Sequence, residues 1–177
     1  MNVKKLSDKL RKEGGNDIIY TPLPIALKMI EMCDIKEGEK VLDPCRGKGV
    51  FYDNLPLTCI KSYCEITENK DFFDDNNNYD LIIGNPPYSI WDKWLEHTMN
   101  HTNKFCYIMN MWNLTDKRVR NIINKGYGIT KIHLLKIDWW FGCQYIVVFE
   151  KGIKSIITVE DKIIINNDNN PKNKKVI

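Results

Sequence analysis

The chain has 177 residues, with 26 basic and 23 acidic side chains, a net charge of +3 and 43% hydrophobic residues. That size suits one domain with a substantial core; no apolar stretch approaches the roughly 20 residues of a membrane span, and the charged N-terminus leads into no apolar signal region. Cysteines at 33, 45, 59, 64, 106 and 143 form no C-x-x-C pair, which argues against structural zinc and for reduced thiols in a cytoplasm.

The first predicted element is a helix over 24–33, running through Ala26, Leu27, Met29 and Ile30 just after Tyr20-Thr21-Pro22. A short strand over 40–43 follows and runs into Asp43-Pro44-Cys45-Arg46-Gly47-Lys48-Gly49. Gly47 and Gly49 let a backbone approach a ligand closely, and amides at a following helix start would favour an acceptor-rich group. Tight strand-to-helix turns need glycine for their own geometry, so this signal is weak alone. A second strand over 58–64 ends at Glu65, 22 positions after Asp43, the offset at which nucleotide-binding α/β folds hold a ribose diol. Asp71-Phe72 then offers an acceptor for an adenine amine beside an apolar cover, and the polar loop 74–78 precedes a strand over 79–84.

Asn85-Pro86-Pro87-Tyr88 closes that strand and is the most informative feature of the chain. The Asn85 amide oxygen is an acceptor that does not titrate. Pro86 has a carbonyl but no N–H, and Pro87 pushes it towards an extended conformation. A planar exocyclic amine has two N–H donors, which the Asn85 oxygen and the Pro86 carbonyl can accept. Tyr88 can stack on the ring at roughly 1–3 kcal/mol.

Beyond this box the pattern predicts a Trp-rich amphipathic helix over 90–100, with Trp91 and Trp94 read as packing residues. A strand over 104–109, a helix over 115–125 and strands over 129–137 and 144–149 follow, the last two as a hairpin. The whole is an α/β chain with a mostly parallel sheet and an antiparallel edge. Ligands of such sheets bind at the carboxyl ends of the strands, where Asp43, Glu65 and Asn85 all fall. Residues 155–165 offer a further strand or hairpin, and the Asn- and Lys-rich stretch 166–175 reads as disordered. The domain is therefore taken as 1–165, with a tail over 166–177.

In order and spacing these motifs resemble the S-adenosylmethionine-dependent N6-adenine methyltransferases of nucleic acids. That family carries a D-P-x-x-G-x-G loop, an acidic residue ending the second strand, a D-F pair and an N-P-P-Y box, often preceded by a T-P pair. The motif order looks like the gamma arrangement, and the resemblance covers roughly residues 18 to 150. It implies a Rossmann-like class I methyltransferase with a seven-stranded, mostly parallel sheet and an antiparallel C-terminal hairpin. It implies S-adenosylmethionine held by Tyr20, Thr21, Pro22, Asp43, Pro44, Cys45, Gly47, Gly49, Glu65, Asp71, Phe72 and Asn85. The implied catalytic residues are Asn85, Pro86, Pro87 and Tyr88. A second aromatic that closes the other face of the base would come from Trp139, Trp140 or Phe141. Pro44-Cys45 superficially resembles the nucleophile of cytosine-C5 methyltransferases, but it sits in the cofactor loop rather than in the catalytic box.

The implied substrate is adenine in nucleic acid, DNA ahead of RNA. The same box also serves enzymes acting on protein glutamine amides or on guanine N2 of ribosomal RNA, and a catalytically silent cofactor-binding scaffold is a further alternative. Residues 1–150 hold 20 basic and 20 acidic side chains, so no nucleic-acid-coating surface is expected. Local patches remain: Lys4, Lys5, Lys9, Arg11 and Lys12, and an acid-free stretch with Lys117, Arg118, Arg120, Lys125, Lys131 and Lys136. These are candidate phosphate contacts, with a solvated helix face as the plain alternative. Only 89 residues follow Tyr88, which leaves no room for a separate recognition domain. Recognition would then come from a partner subunit, be weak, or rest on RNA shape.

Overall fold

The computed structural model describes residues 19–140 and 142–159. The Lys4–Lys12 cluster, Phe141, residues 160–165 of the last strand candidate and the stretch 166–177 lie outside the described residues.

Helix α1, Leu23–Cys33, opens with Pro22 as N-cap and a proline in its first turn, where no intrahelical N–H is needed. It buries Ala26, Met29 and Cys33 along one face and stops at Asp34, whose backbone is left-handed at φ 50°. Strands β1 (Lys40–Asp43), β2 (Ile60–Tyr63) and β3 (Leu81–Gly84) are each four residues long. Helix α2 (Trp91–His101), strand β4 (Lys104–Asn110) and helix α3 (Asp116–Asn124) follow, then the hairpin strands β5 (Tyr127–Leu135) and β6 (Gln144–Lys151).

Among the described residues the sheet has six strands in the order β2-β1-β3-β4-β6-β5, where seven were expected. Pairings β2–β1, β1–β3 and β3–β4 are parallel, while β6 runs antiparallel to both β4 and β5. The reversed strand is therefore the inserted β6 and not the edge: β5, at the edge, runs in the same direction as β1–β4. The C-terminal hairpin was legible, but its insertion was not. A hairpin fixes only that its two strands are neighbours.

The glycine loop was expected to lead into an α-helix. Instead one 3-10 turn, Tyr52–Asn54, fills that place, and Pro56 follows before a full helix could form. The connection from β2 to β3 likewise carries only 3-10 turns, at Ile66–Glu68 and Phe72–Asp74.

Because successive strand residues face opposite sides, the near-continuous apolar strands feed two cores. Leu42, Ile82, Phe105, Tyr107, Val147 and Phe149 face α2 and α3, with Trp91 and Trp94 buried among them as expected. Val41, Leu81, Ile83, Cys106, Ile108, Ile146 and Val148 face α1. Full burial of each large side chain stabilises by about 1.5–3 kcal/mol. Phe105 and Phe149, directly paired across β4 and β6, stack with centroids 4.5 Å apart. No helix among the described residues is long and apolar enough to cross a membrane.

Candidate active site

Parallel strands β1, β2, β3 and β4 end on one side of the sheet, and their following loops meet there. Asp43, the last residue of β1, is fully buried. Its Oδ1 accepts from the Cys45 N–H and its Oδ2 from the Tyr52 N–H, both at 3.3 Å, so the carboxyl pins both ends of the glycine loop. Burial pushes its pKa up to about 7, against the pull of those two hydrogen bonds and of Arg46. Burial, followed by the nearby Asp43 charge, also raises the Cys45 thiol well above its ordinary value. A thiol held protonated is a poor nucleophile, which removes the cysteine chemistry that Pro44-Cys45 resembled.

Gly47 and Gly49 have φ of 53° and 86°. A Cβ on Gly47 would lie 3.4 Å from the Tyr20 ring, and one on Gly49 would lie 2.5 Å from Asp53 Oδ2. The left-handed backbone at both positions is what calls for glycine; a Cβ on Gly47 would be in ordinary contact, and one on Gly49 would have to push the Asp53 carboxylate aside. The Gly47 N–H donates to Glu65 Oε2 at 2.7 Å, which ties the loop to the end of β2. Glu65 Oε1 takes the Thr67 N–H and hydroxyl at 3.1 and 2.7 Å. Burial raises the Glu65 pKa, but the hydrogen bonds from Thr67 and Gly47 outweigh it and hold the carboxyl below the usual range. Three of about four acceptor positions on this ionised carboxylate are used, which leaves one for a ligand hydroxyl.

Ile66, the next residue, is 71% exposed. This apolar side chain stands in water beside the Glu65 carboxylate, a feature the sequence reading did not single out although it directly follows Glu65. Backbone bonds between Glu65 and Lys70 bring Asp71 back beside this turn. Asp71 Oδ1 accepts from the Phe73 N–H. Phe72 is not available as the expected cover: it is 2% exposed and packs on Trp94 and His97, because it follows the N-cap of a turn that points into the core. An open groove of about 470 Å³ along β2 includes Tyr63, Cys64, Asp71 and Tyr79, but none of Gly47, Glu65 and Asn85.

The box after β3 is bound to this loop system on two sides. Cys45 Sγ donates to the Asn85 carbonyl at 3.3 Å. Asn85 Nδ2 donates to the Ile19 carbonyl at 3.0 Å, so the segment holding Tyr20, the buried Thr21 and Pro22 crosses beside it. With its nitrogen occupied, Asn85 Oδ1 is the acceptor left over. Gly84 matters here, since a Cβ would stand 3.2 Å from Pro44 Cδ. Pro86 is buried, Pro87 and Tyr88 are half-buried, and the Tyr88 hydroxyl donates to the Ile108 carbonyl at 3.3 Å, against the edge of Trp91.

The β5–β6 connection reaches the same side of the sheet. Of its aromatics, Trp139 is 66% exposed, whereas Trp140 is 7% exposed and packs in the α1-side core. Lys136 Nζ donates to the carbonyls of Ile137, Trp140 and Gly142, so its charge organises this turn. The other expected phosphate contacts are also largely engaged. Lys125 pairs with Glu96, Lys131 Nζ donates to the Met32 carbonyl, and Arg118 Nε donates to Asp92 Oδ1 at 2.6 Å. Lys117 is exposed and Arg120 half-buried. No group of three or more His, Cys, Asp or Glu placed to hold a metal occurs among the described residues.

No family model matches the chain. Among curated proteins it is similar to the type II methyltransferase M.EcoRI of Escherichia coli, 26% identical over 90 residues, which are 50% of this chain and 27% of that protein. It is also similar to the type II methyltransferase M.HincII of Haemophilus influenzae, 36% identical over 86 residues, 41% of this chain and 17% of that one. The chain thus matches only a minor part of these relatives. Among solved structures, Trm5b from Pyrococcus abyssi superposes with a TM-score of 0.60 at 18% identity, over 77% of this chain and 51% of that one. A precorrin-6y C5,15-methyltransferase from Geobacter metallireducens gives 0.58 at 13% identity, over 76% and 91%. The likeness to both is one of fold, and that fold is the class I methyltransferase fold.

Proposed function

We propose that this chain transfers a methyl group from S-adenosylmethionine to the N6 amine of adenine in nucleic acid, with DNA as the favoured substrate. The fold and the similarity to type II methyltransferases support the reaction class. The observation that carries the adenine reading is Asn85: one N–H of its amide is held by the Ile19 carbonyl, and its oxygen is a neutral acceptor at the end of β3.

The donor fits the residues present. Glu65 is ionised with one acceptor position left for a ribose hydroxyl, Ile66 offers an apolar face, and Asp71 stands one residue past the Glu65–Lys70 bridge. When bound, the cofactor supplies an already activated methyl on a sulfonium, so no protein nucleophile is needed. The protein's task is alignment, which can supply about 7–11 kcal/mol of the barrier. Asn85 Oδ1 and the Pro86 carbonyl would accept hydrogen bonds from the two amine N–H groups, drawing electron density onto nitrogen as it becomes tetrahedral; once the methyl is transferred, one of those protons is released to solvent. Tyr88, fixed through its hydroxyl to Ile108, holds one face of the base, and exposed Trp139 is the candidate for the other. In duplex DNA the base must leave the stack, at a cost of a few kcal/mol.

The test is label transfer from methyl-tritiated S-adenosylmethionine to duplex DNA, single-stranded DNA, RNA and protein, with mass spectrometry of the product. N6-methyladenine in a nucleic-acid sample, absent with Asn85→Ala, is the expected result. Label only on protein glutamine overturns the substrate, and no transfer despite cofactor binding overturns the activity.

A further inference from the structure

At the carboxyl end of β4 the chain makes a tight turn that holds two apolar side chains in water. Met111 is 49% exposed and Trp112 is 56% exposed. The turn itself is firmly built. The Asn113 N–H donates to the Asn110 carbonyl and the Trp112 N–H to Asn110 Oδ1, both at 3.0 Å. Arg118 completes it: Nη1 donates to the Trp112 carbonyl at 3.2 Å and to Asn113 Oδ1 at 3.1 Å, while Nε is anchored on Asp92. Arg118, a candidate phosphate contact by sequence, thus uses Nη1 to hold this turn and Nε to hold Asp92. Asn113 is itself buried, and its Nδ2 donor has no partner among the described residues.

The turn stands beside the catalytic box. Strands β3 and β4 are parallel neighbours with Gly84 opposite Tyr107; β4 runs on to Asn110, and Met111–Trp112 then leave the same end of the sheet as Asn85–Tyr88. The Tyr88 hydroxyl on the Ile108 carbonyl ties the box to β4, the strand that carries this turn. Ile90, two residues past the box, and Lys117, in the first turn of α3 and five residues after Trp112, are also exposed. A large flat side chain, rigidly held in water next to a site for a planar base and near a cation, matches an unpaired nucleotide: a π-face for the base, a charge for its phosphate.

We propose that Trp112 is a stacking platform for an unpaired nucleobase next to the target adenine, with Arg118 as its positioning residue. This rests on the nucleic-acid reading above. It assigns substrate affinity to a residue outside the N-P-P-Y box and makes single-stranded or locally opened nucleic acid the form that binds best.

The experiment uses the full chain and a short adenine-containing oligonucleotide, single-stranded DNA or RNA, followed by anisotropy across a salt series. Trp112→Ala is expected to weaken binding about tenfold or more, the size of one lost base–aromatic stack. S-adenosylmethionine affinity should be unchanged, and so should the slope against salt, since no phosphate contact is removed. Trp112→Phe should keep most of the affinity while removing much of the tryptophan quenching seen on oligonucleotide addition. This second variant serves if Trp112→Ala fails to fold. Wild-type affinity in Trp112→Ala, unchanged quenching in Trp112→Phe, or a changed salt slope overturns the proposal alone. A wild-type chain that neither binds nor methylates any nucleic acid overturns the functional reading, and this inference with it.

Discussion

The side chain of Asn85 donates to the backbone carbonyl of Ile19 at 3.0 Å, across 66 residues of sequence. This bond fixes which way round the amide sits, with its nitrogen turned to Ile19 and its oxygen away from it. A single group therefore joins the N-terminal Thr-Pro segment to the N-P-P-Y box.

Asn85→Asp replaces the donor to Ile19 with an acceptor, so two oxygens face each other and the loop shifts. Methyl transfer is expected to fall by about 10²-fold or more, the scale for losing one oriented transition-state hydrogen bond. Cofactor affinity is expected to fall as well, but by less, because Asn85 anchors the Ile19 carbonyl beside the Tyr20–Pro22 segment expected to hold the cofactor. Calorimetry beside label transfer separates the two.

Tyr88→Phe removes the hydroxyl bond to Ile108 and keeps the ring. A loss of about 1 kcal/mol in stability is expected, with transfer largely retained. Tyr88→Ala removes the ring and should lower binding of an adenine-containing oligonucleotide by a further factor of about ten. Urea unfolding and oligonucleotide titration check the pair.

Glu65 contributes stability through its ionised form. Its folded pKa is below the unfolded value, so the contribution is present above about pH 4.3 and is lost as pH falls through the folded value. Glu65→Gln faces the Gly47 and Thr67 donors with an amide that accepts at one atom only. S-adenosylmethionine affinity is expected to drop about tenfold or more, at roughly 1.4 kcal/mol per factor of ten. The variant should also show a weaker loss of stability on acidification than the wild type, with Asp75 and Asp34, whose carboxyls are likewise held low, keeping part of it.

Asp43 has the opposite sign. Its folded pKa is raised by burial from 3.8 to about 7, so the folded protein holds a proton that the unfolded chain has released. Stability from this group is full below about pH 4, declines as pH rises to 7, and is flat above. At about 1.4 kcal/mol per pKa unit the loss is on the order of 4 kcal/mol. Asp43→Asn should remove that slope, seen as a melting temperature that falls less between pH 5 and 8 than in the wild type.

Much of the fold was legible because both of its signals are local. The apolar runs at 40–43 and 79–84 and the helical spacing of Ala26, Met29 and Cys33 mark their elements within a residue or two. What failed depended on distant parts of the chain. Phe72 beside an acid looks like a ring cover, yet Trp94 and His97 on α2 draw it into the core. Arg118 looks like a phosphate ligand, yet Asp92 and the Trp112 turn occupy it.

The sequence by itself determined the strand ends, the order of Asp43, Glu65 and Asn85 along them, and the neutral acceptor beside an aromatic, since these follow from periodicity and side-chain chemistry. The tertiary structure alone decided which of Trp139 and Trp140 stays exposed, which cations are spent on carbonyls and carboxylates, and which atom of Asn85 is free. Burial, pairing and amide orientation are set by groups tens of residues away, and no local pattern encodes them.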